Sequence, residues 1–123
     1  MVTNKALTGI HKSTIEFFLK NIKNTIDFSA IGYDDLISQI NKADIITENT
    51  PYYCIIKFSY NGESFNIYDK TIEIQVLRTN GAPVVFHMYF KDNRLYEFEY
   101  FIADLSEICE GELFVGEVLV QVH

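Results

Sequence analysis

The feature that most constrains the fold is a strict alternation of side chains in residues 95–102, which read LYEFEYFI. Aromatic side chains fall on one side of an extended chain and carboxylates on the other: Tyr96, Phe98 and Tyr100 against Glu97 and Glu99. A period of two is typical of a half-buried β-strand. The run before it, PVVFHMYF in residues 83–90, is also strand-like, and the Asp92-Asn93 step between them suits a tight turn. The sequence therefore predicts a β-hairpin at the centre of a sheet.

Other strand-like runs surround this hairpin. Asn61-Gly62 and Asn80-Gly81 are typical of hairpin turns, because both residue types tolerate left-handed backbone. The predicted additional strands are residues 53–60, 64–68, 71–77 and 115–122, and residues 47–51 and 103–111 are predicted to be loops. The pattern favours a mostly antiparallel meander.

Two helices are predicted before the strands. Ser13-Thr14-Ile15-Glu16 fits a capping box, and apolar side chains then recur at helical spacing, which predicts a helix over residues 13–24. Asp34 or Gly32 is expected to start a shorter helix whose apolar face holds Leu36, Ile37, Ile40 and Ala43. The expected fold is α+β: one domain, residues 1–123, with two N-terminal helices packed on a curved, mostly antiparallel sheet of five to six strands.

Composition excludes several classes of protein. No apolar run approaches the ~20 residues that cross a bilayer, and the N-terminus does not resemble a signal peptide. Cys54 and Cys109 are the only cysteines, which we expect to be buried thiols, with a single disulfide as the alternative. These features favour a cytoplasmic protein.

The residues that usually carry chemistry are scattered. His11, His87 and His123 have no metal-ligand spacing, and His87 is expected to be a half-buried structural histidine. Cys54 and His87 could meet across the sheet as nucleophile and base, but nothing local supports the pair. Basic residues are interleaved with acids, which disfavours nucleic-acid binding. We expect no catalytic residues, no cofactor and no metal.

Charge gives a stronger signal. The net charge is −7, and residues 91–123 hold eight acidic and two basic residues, which accounts for −6 of it. An acidic surface attracts basic partners and repels nucleic acid and anionic membranes. The predicted partner-binding residues are Glu97, Glu99, Asp104, Glu107, Glu110 and Glu112, with Tyr96 and Tyr100 as aromatic anchors. The alternative places the tyrosines in the core and the acids in water.

The segment FKDNRLYEFEYFIADLSEI, residues 90–108, resembles a pattern in small bacterial immunity proteins of contact-dependent growth inhibition and other polymorphic toxin systems. Residues 95–101 match the strand of that pattern, and residues 104–108 match the acidic, serine-bearing turn after it. The resemblance implies a non-enzymatic cytoplasmic inhibitor that binds one cognate toxin domain, often a basic nuclease. It leaves the monomeric or dimeric state open.

Two other interpretations remain. Helices followed by a curved antiparallel sheet are also similar to the cone-shaped fold of nuclear transport factor 2-like proteins, and residues 91–101 are similar to the late hairpin of that family. That resemblance implies a small ligand in an apolar pocket. The third interpretation is a dimerisation module that uses an exposed strand edge.

Overall fold

The computed structural model describes residues 2–4, 9–22, 33–108 and 116–122. These residues form two helices and seven strands. In chain order the elements are β1 (Val2–Asn4), α1 (Gly9–Ile22), α2 (Tyr33–Lys42), β2 (Asp44–Asn49), β3 (Tyr53–Ser59), β4 (Lys70–Leu77), β5 (Val84–Lys91), β6 (Arg94–Ile102) and β7 (Glu117–Val122). The predicted α+β class is confirmed, but the described residues form seven strands where five to six were predicted, because the prediction lacked β1 and β2.

The seven strands form a single sheet in the order β1-β2-β3-β6-β5-β4-β7. Every neighbouring pair is antiparallel. The meander β4-β5-β6 has its expected connectivity, and β6 lies in the middle of the sheet, between β5 and β3. The hairpin with the clearest sequence pattern is therefore central, as predicted.

Alternation along each central strand separates the two faces of the sheet. β4 and β6 bury every second side chain, including Ile72 and Ile74 on β4 and Phe98 and Tyr100 on β6. These side chains form one core cluster with buried side chains of both helices. We call the side of the sheet opposite this cluster the outer face.

The helices contribute their apolar stripes to the core. Phe18 of α1 is fully buried, and its ring lies 4.1 Å from that of Phe86 on β5, centroid to centroid. Leu36 and Ile40 of α2 are also buried, while Asp34 and Asp35 lie in its first turn, where carboxylates stabilise the helix dipole. Neither described helix has the length and apolar character needed to cross a membrane.

The start of α1 differs from the prediction. The helix begins at Gly9, so Ser13 and Glu16 lie inside it, and the predicted capping box at Ser13 is wrong. A polar run inside a helix can mimic a cap when the apolar stripe starts only after it. The predicted end of this helix, residues 23–24, lies outside the described residues.

The strands before β4 also differ. Residues 44–49 form β2, although residues 47–51 were predicted to be a loop. Residues 64–68, which were predicted to be a strand, do not form one. Asn61 and Gly62 do form a turn with φ of 54° and 80°, but only the isolated bridge between Tyr60 and Glu63 follows it. β3 instead pairs with β2 and β6. β3 therefore pairs with the strand before it and with a strand far along the chain, instead of with a strand directly after it.

Candidate functional site: the outer face of the sheet

The strand register brings polar side chains of four strands together on the outer face. Glu99 on β6 lies opposite His87 on β5, and His87 lies opposite Glu73 on β4. In the next row Glu97 stands between Lys57 and Tyr89. All of them come from the alternate positions that the core does not use, so the same period that builds the core also builds this face.

His87 is clamped between two carboxylates. Its Nδ1 lies 3.0 Å from Glu99 Oε1, and its Nε2 lies 3.0 Å from Glu73 Oε1. The histidine side chain is 20% exposed and each carboxylate 22%. Hydrogen bonding to Glu99 raises the pKa of His87, and Glu73 adds to this, against the opposing effect of burial. Both ring nitrogens face acceptors, so the geometry favours the doubly protonated imidazolium.

Glu99 is a compensated carboxylate. The Tyr89 hydroxyl donates a hydrogen bond of 2.6 Å to the same Oε1 that faces His87. The hydrogen bonds from His87 and Tyr89 hold the pKa of Glu99 below its usual value, although burial acts in the opposite direction. Its negative charge is therefore stabilised within the protein.

Glu97, two residues earlier on the same strand, is not compensated in this way. Burial raises its pKa, and the negative charge of Glu99 raises it further. Lys57 and a hydrogen bond from Tyr68 oppose this rise without cancelling it. The outer face thus holds one carboxylate whose charge is costly in the isolated protein.

An apolar groove of about 490 Å³ adjoins these polar rows. Its lining residues are Tyr52, Tyr53, Ile55, Glu99, Phe101 and Leu105. Tyr53 lies opposite Phe101 in the register, and Ile55 lies opposite Glu99. Tyr52 and Leu105 are large apolar side chains that are 50% and 68% exposed. A cluster of this kind on a protein surface is typical of a contact site.

Two loops hold the groove in place. Thr50 Oγ1 accepts hydrogen bonds from the amides of Tyr52 and Tyr53, both at 3.1 Å. The amide of Ile108 donates to the Pro51 carbonyl at 2.8 Å, which joins this loop to the segment after β6. Leu105 has a left-handed backbone with φ of 61°, a conformation that is costly for leucine and that presents its side chain to solvent.

The structure separates the predicted partner-binding residues. Glu97 and Glu99 lie on the outer face. Asp104 and Glu107 are exposed after β6. Hydrogen bonds from the Ser106 side chain and from its amide, the latter at 3.0 Å to Asp104 Oδ1, lower the pKa of the Asp104 carboxyl. Glu110 and Glu112 lie outside the described residues.

Tyr96 and Tyr100 do not lie on the outer face with the predicted partner-binding carboxylates Glu97 and Glu99. Both are buried, at 3% and 2% exposure, because they occupy the core-facing positions of β6. Neither side chain is therefore an exposed anchor, which agrees with the alternative that places the tyrosines in the core, although Tyr96 contributes to the lining of a cavity that also includes Glu97. The aromatic side chains that lie beside Glu99 are Tyr53 and Phe101.

The possible pairing of Cys54 with His87 is also wrong. Cys54 is a buried thiol on the core face, opposite Tyr100, whereas His87 lies on the outer face. Cys109 lies outside the described residues. The prediction that His87 is half-buried is confirmed.

Sequence reasoning missed the participation of Glu73, His87 and Tyr89 in one network. Each stands at an outward position of its strand. Joining them required the register of β4, β5 and β6, which the turn at Asp92-Asn93 fixes for the last two strands.

The arrangement can bind charged and apolar groups side by side. Within residues 2–4, 9–22, 33–108 and 116–122, no group of three or more His, Cys, Asp or Glu side chains could hold a metal ion. His87 has both nitrogens engaged by carboxylates, so neither is presented to a substrate as a base. Recognition through charge and apolar contact is what this face supports.

Comparison with known proteins gave no family. No protein-family model matches the chain, and neither a curated protein nor a solved structure matches it significantly.

Proposed function

We propose that this protein is a cytoplasmic, non-enzymatic immunity protein that binds and neutralises a cognate toxin domain through the outer face of its sheet. The observation that carries the proposal is the continuity of the apolar groove with the carboxylate rows, which share Glu99. A protein interface needs both parts: apolar anchors for affinity and charges for orientation.

The charge of the chain supports a basic partner such as a nuclease domain. The protein carries a net charge of −7, concentrated in its last third. Carboxylates on an inhibitor can occupy the surface with which a nuclease binds phosphates, and long-range attraction speeds the encounter. Inhibition then follows from occlusion of the substrate path, without chemistry by the inhibitor.

The groove supplies the apolar contact in this proposal. Leu105 and Tyr52 hold exposed apolar area that a partner would cover, and the hydrogen bonds of Thr50 keep the Tyr52–Tyr53 loop ordered before binding. A contact loop that is already ordered loses less conformational entropy on association.

The pocket interpretation has less support. A nuclear transport factor 2-like site would lie between the helices and a strongly curved sheet, but Phe18 fills that side against Phe86. The curvature of the sheet and the single-domain organisation stay predictions. The residues that line the apolar groove are not members of the core cluster.

The test is capture of a toxin partner by the immobilised full chain, from a lysate of the source cell and from neighbouring gene products, at low and high salt. We expect one basic protein, bound more weakly at high salt, whose toxic activity the chain inhibits in solution. An acidic partner, or a bound partner whose activity is unchanged, would contradict the proposal.

Variants of the groove sharpen this test. Leu105→Ser should weaken binding by about tenfold, because it removes an exposed apolar anchor. Val122→Ser on β7 is the matched control, since Val122 is 46% exposed and lies away from the groove. Equal effects of the two substitutions would show that the groove is not the contact surface.

A further inference from the structure

A second concavity, of about 310 Å³, lies beside the first strand residues of β6. Its lining includes Lys57, Phe65, Tyr68, Tyr96 and Glu97. We call it the Glu97 cavity. It shares no lining residue with the apolar groove, so it is a separate site on the molecule.

Aromatic packing fixes the walls of the Glu97 cavity. The Phe65 ring meets Tyr96 edge to face, with centroids 4.8 Å apart and an interplanar angle of 82°. Tyr68 lies against Tyr89 with centroids 5.1 Å apart. The segment that carries Phe65 and Tyr68 leaves β3 through the Asn61-Gly62 turn, so its failure to form a strand leaves these rings beside β6.

The electrostatic environment of the cavity is negative. Glu97 is half-buried there, and Lys57 and the hydrogen bond from Tyr68 only partly offset the effect of burial on its charge. Burial, together with the charges of Glu97 and Glu99, raises the pKa of Tyr68 to about 12. The faces of aromatic rings are also negative, so both components of the lining attract a cation.

We propose that the Glu97 cavity binds a guanidinium group, presented as an arginine side chain of the protein partner. The partner rests on the proposed function, whereas the affinity of the cavity for guanidinium does not. A planar guanidinium stacks on aromatic rings and can donate two parallel hydrogen bonds to one carboxylate. It is also less strongly hydrated than a lysine ammonium, which suits a half-buried site.

Lys57 provides a second test of the proposal, because its removal should change guanidinium binding in the opposite direction to the removal of Glu97. Its side chain is exposed and lies across from Glu97 in the register, where its charge acts on the carboxylate. A bound guanidinium would be repelled by Lys57 and would compete with it for Glu97. Removal of this charge should therefore strengthen binding.

The test titrates the full chain with ethylguanidinium and follows backbone amide and side-chain carboxyl signals by nuclear magnetic resonance. Ethylurea, the neutral analogue of the same shape, is the control ligand. We expect saturable shifts at Phe65, Tyr68 and Glu97 with ethylguanidinium and none with ethylurea.

Three variants complete the design. Glu97→Gln should weaken ethylguanidinium binding by about tenfold or more, and Lys57→Met should tighten it by about threefold. Glu117→Gln, which removes an exposed carboxylate on β7, should leave it unchanged. Thermal melting of each variant confirms that it is folded.

Shifts that are absent, that ethylurea reproduces, or that survive Glu97→Gln in a folded protein would overturn the assignment of the cavity. These results do not depend on a toxin. If ethylguanidinium binds but no basic partner is captured, the cavity assignment stands and the proposed function fails. If a basic partner is captured but Glu97→Gln weakens neither ethylguanidinium binding nor partner binding, the proposed function stands and the cavity assignment fails.

Discussion

At the residue scale, the outer face contains two carboxylates with opposite energetic roles. Glu99 accepts a hydrogen bond from Tyr89 and lies 3.0 Å from a ring nitrogen of His87, whereas Glu97 bears a charge that burial and its neighbour disfavour. The two lie two residues apart on one strand. The difference comes from the strand opposite: Glu99 faces His87, and Glu97 faces Tyr89, whose hydroxyl turns to Glu99.

This contrast predicts substitutions of opposite sign. At pH 7, Glu97→Gln should stabilise the protein by up to about 1 kcal/mol, because it removes a like-charge contact and a buried charge. Glu99→Gln should destabilise it by about 1–2 kcal/mol, because it weakens two hydrogen bonds to a charged acceptor. Chemical denaturation of both variants measures the effects. Effects of the same sign would contradict the assignment.

The clamp on His87 predicts how stability depends on pH. The pKa of His87 is raised above 6.5 in the folded protein, so its contribution is complete below pH 6.5 and is lost as pH rises through the folded value. The pKa of Glu99 is lowered below 4.5, so its contribution is complete above pH 4.5 and is lost on acidification. For these two groups the unfolding free energy should be highest between about pH 4.5 and 6.5.

His87→Gln is the variant that isolates this effect, because glutamine fits a hydrogen-bonding position without titrating. The difference in unfolding free energy between the native protein and His87→Gln should shrink as pH rises above 6.5. Urea denaturation over that range measures it, and subtraction removes the contributions of His11 and His123. A difference that stays constant with pH would show that His87 is not held as an imidazolium.

At the scale of elements, the sequence predicted best where a strand is half-buried and its neighbour is local. The alternation in β6 gave the correct faces for Glu97 and Glu99, and Asp92-Asn93, with φ of 52° and 61°, gave the correct turn. β3 was assigned a local partner by Asn61-Gly62, but its partner β6 lies far along the chain. A turn motif carries no information about a distant strand.

The same limit explains the errors at the candidate site. Tyr96 and Tyr100 alternate correctly with the carboxylates, which places them on the core face, yet proximity in sequence suggested a shared contact surface. The true neighbours of Glu99 come from β3, β5 and the segment after β6. Only the strand register and the loop geometry bring these neighbours next to Glu99, and neither can be read from a single segment of the sequence.

The attachment of β7 depends on one glycine. Gly116 has φ of 139°, and an added Cβ would collide with the Leu77 carbonyl at the end of β4. Gly116→Ala should weaken the β4–β7 pairing, and hydrogen exchange at Val118 and Val120 should accelerate. Gly62→Ala is the control, because its φ is 80° but the space around it is open. That variant should cost only about 1–2 kcal/mol of backbone strain and should leave β7 protected.

At the scale of the whole molecule, the sheet and the helices share a core in which large aromatic side chains interlock. Phe18 links α1 to the sheet through Phe86, which in turn contacts Phe98 and Tyr100. The outer face is therefore supported from behind by a continuous aromatic layer. Rigid support of this kind keeps binding side chains in place.

Phe18→Ala tests this layer. It should lower the unfolding free energy by about 3–5 kcal/mol, because it leaves a cavity beside Phe86. Phe17→Ala, on the same helix but only partly buried, should cost clearly less. Calorimetry of the two variants makes the comparison. Equal losses would show that α1 does not depend on the Phe18–Phe86 contact.

The order of strands in the sheet also has a consequence for synthesis on the ribosome. β3 emerges before its partner β6, with β4 and β5 between them in the chain. At ~5–20 residues per second, the gap of about 35 residues lasts about 2–7 s. During that interval one edge of β3 and the apolar side chains of Ile56 and Phe58 lack their final neighbours, which makes the nascent chain a substrate for chaperones that shield exposed strands.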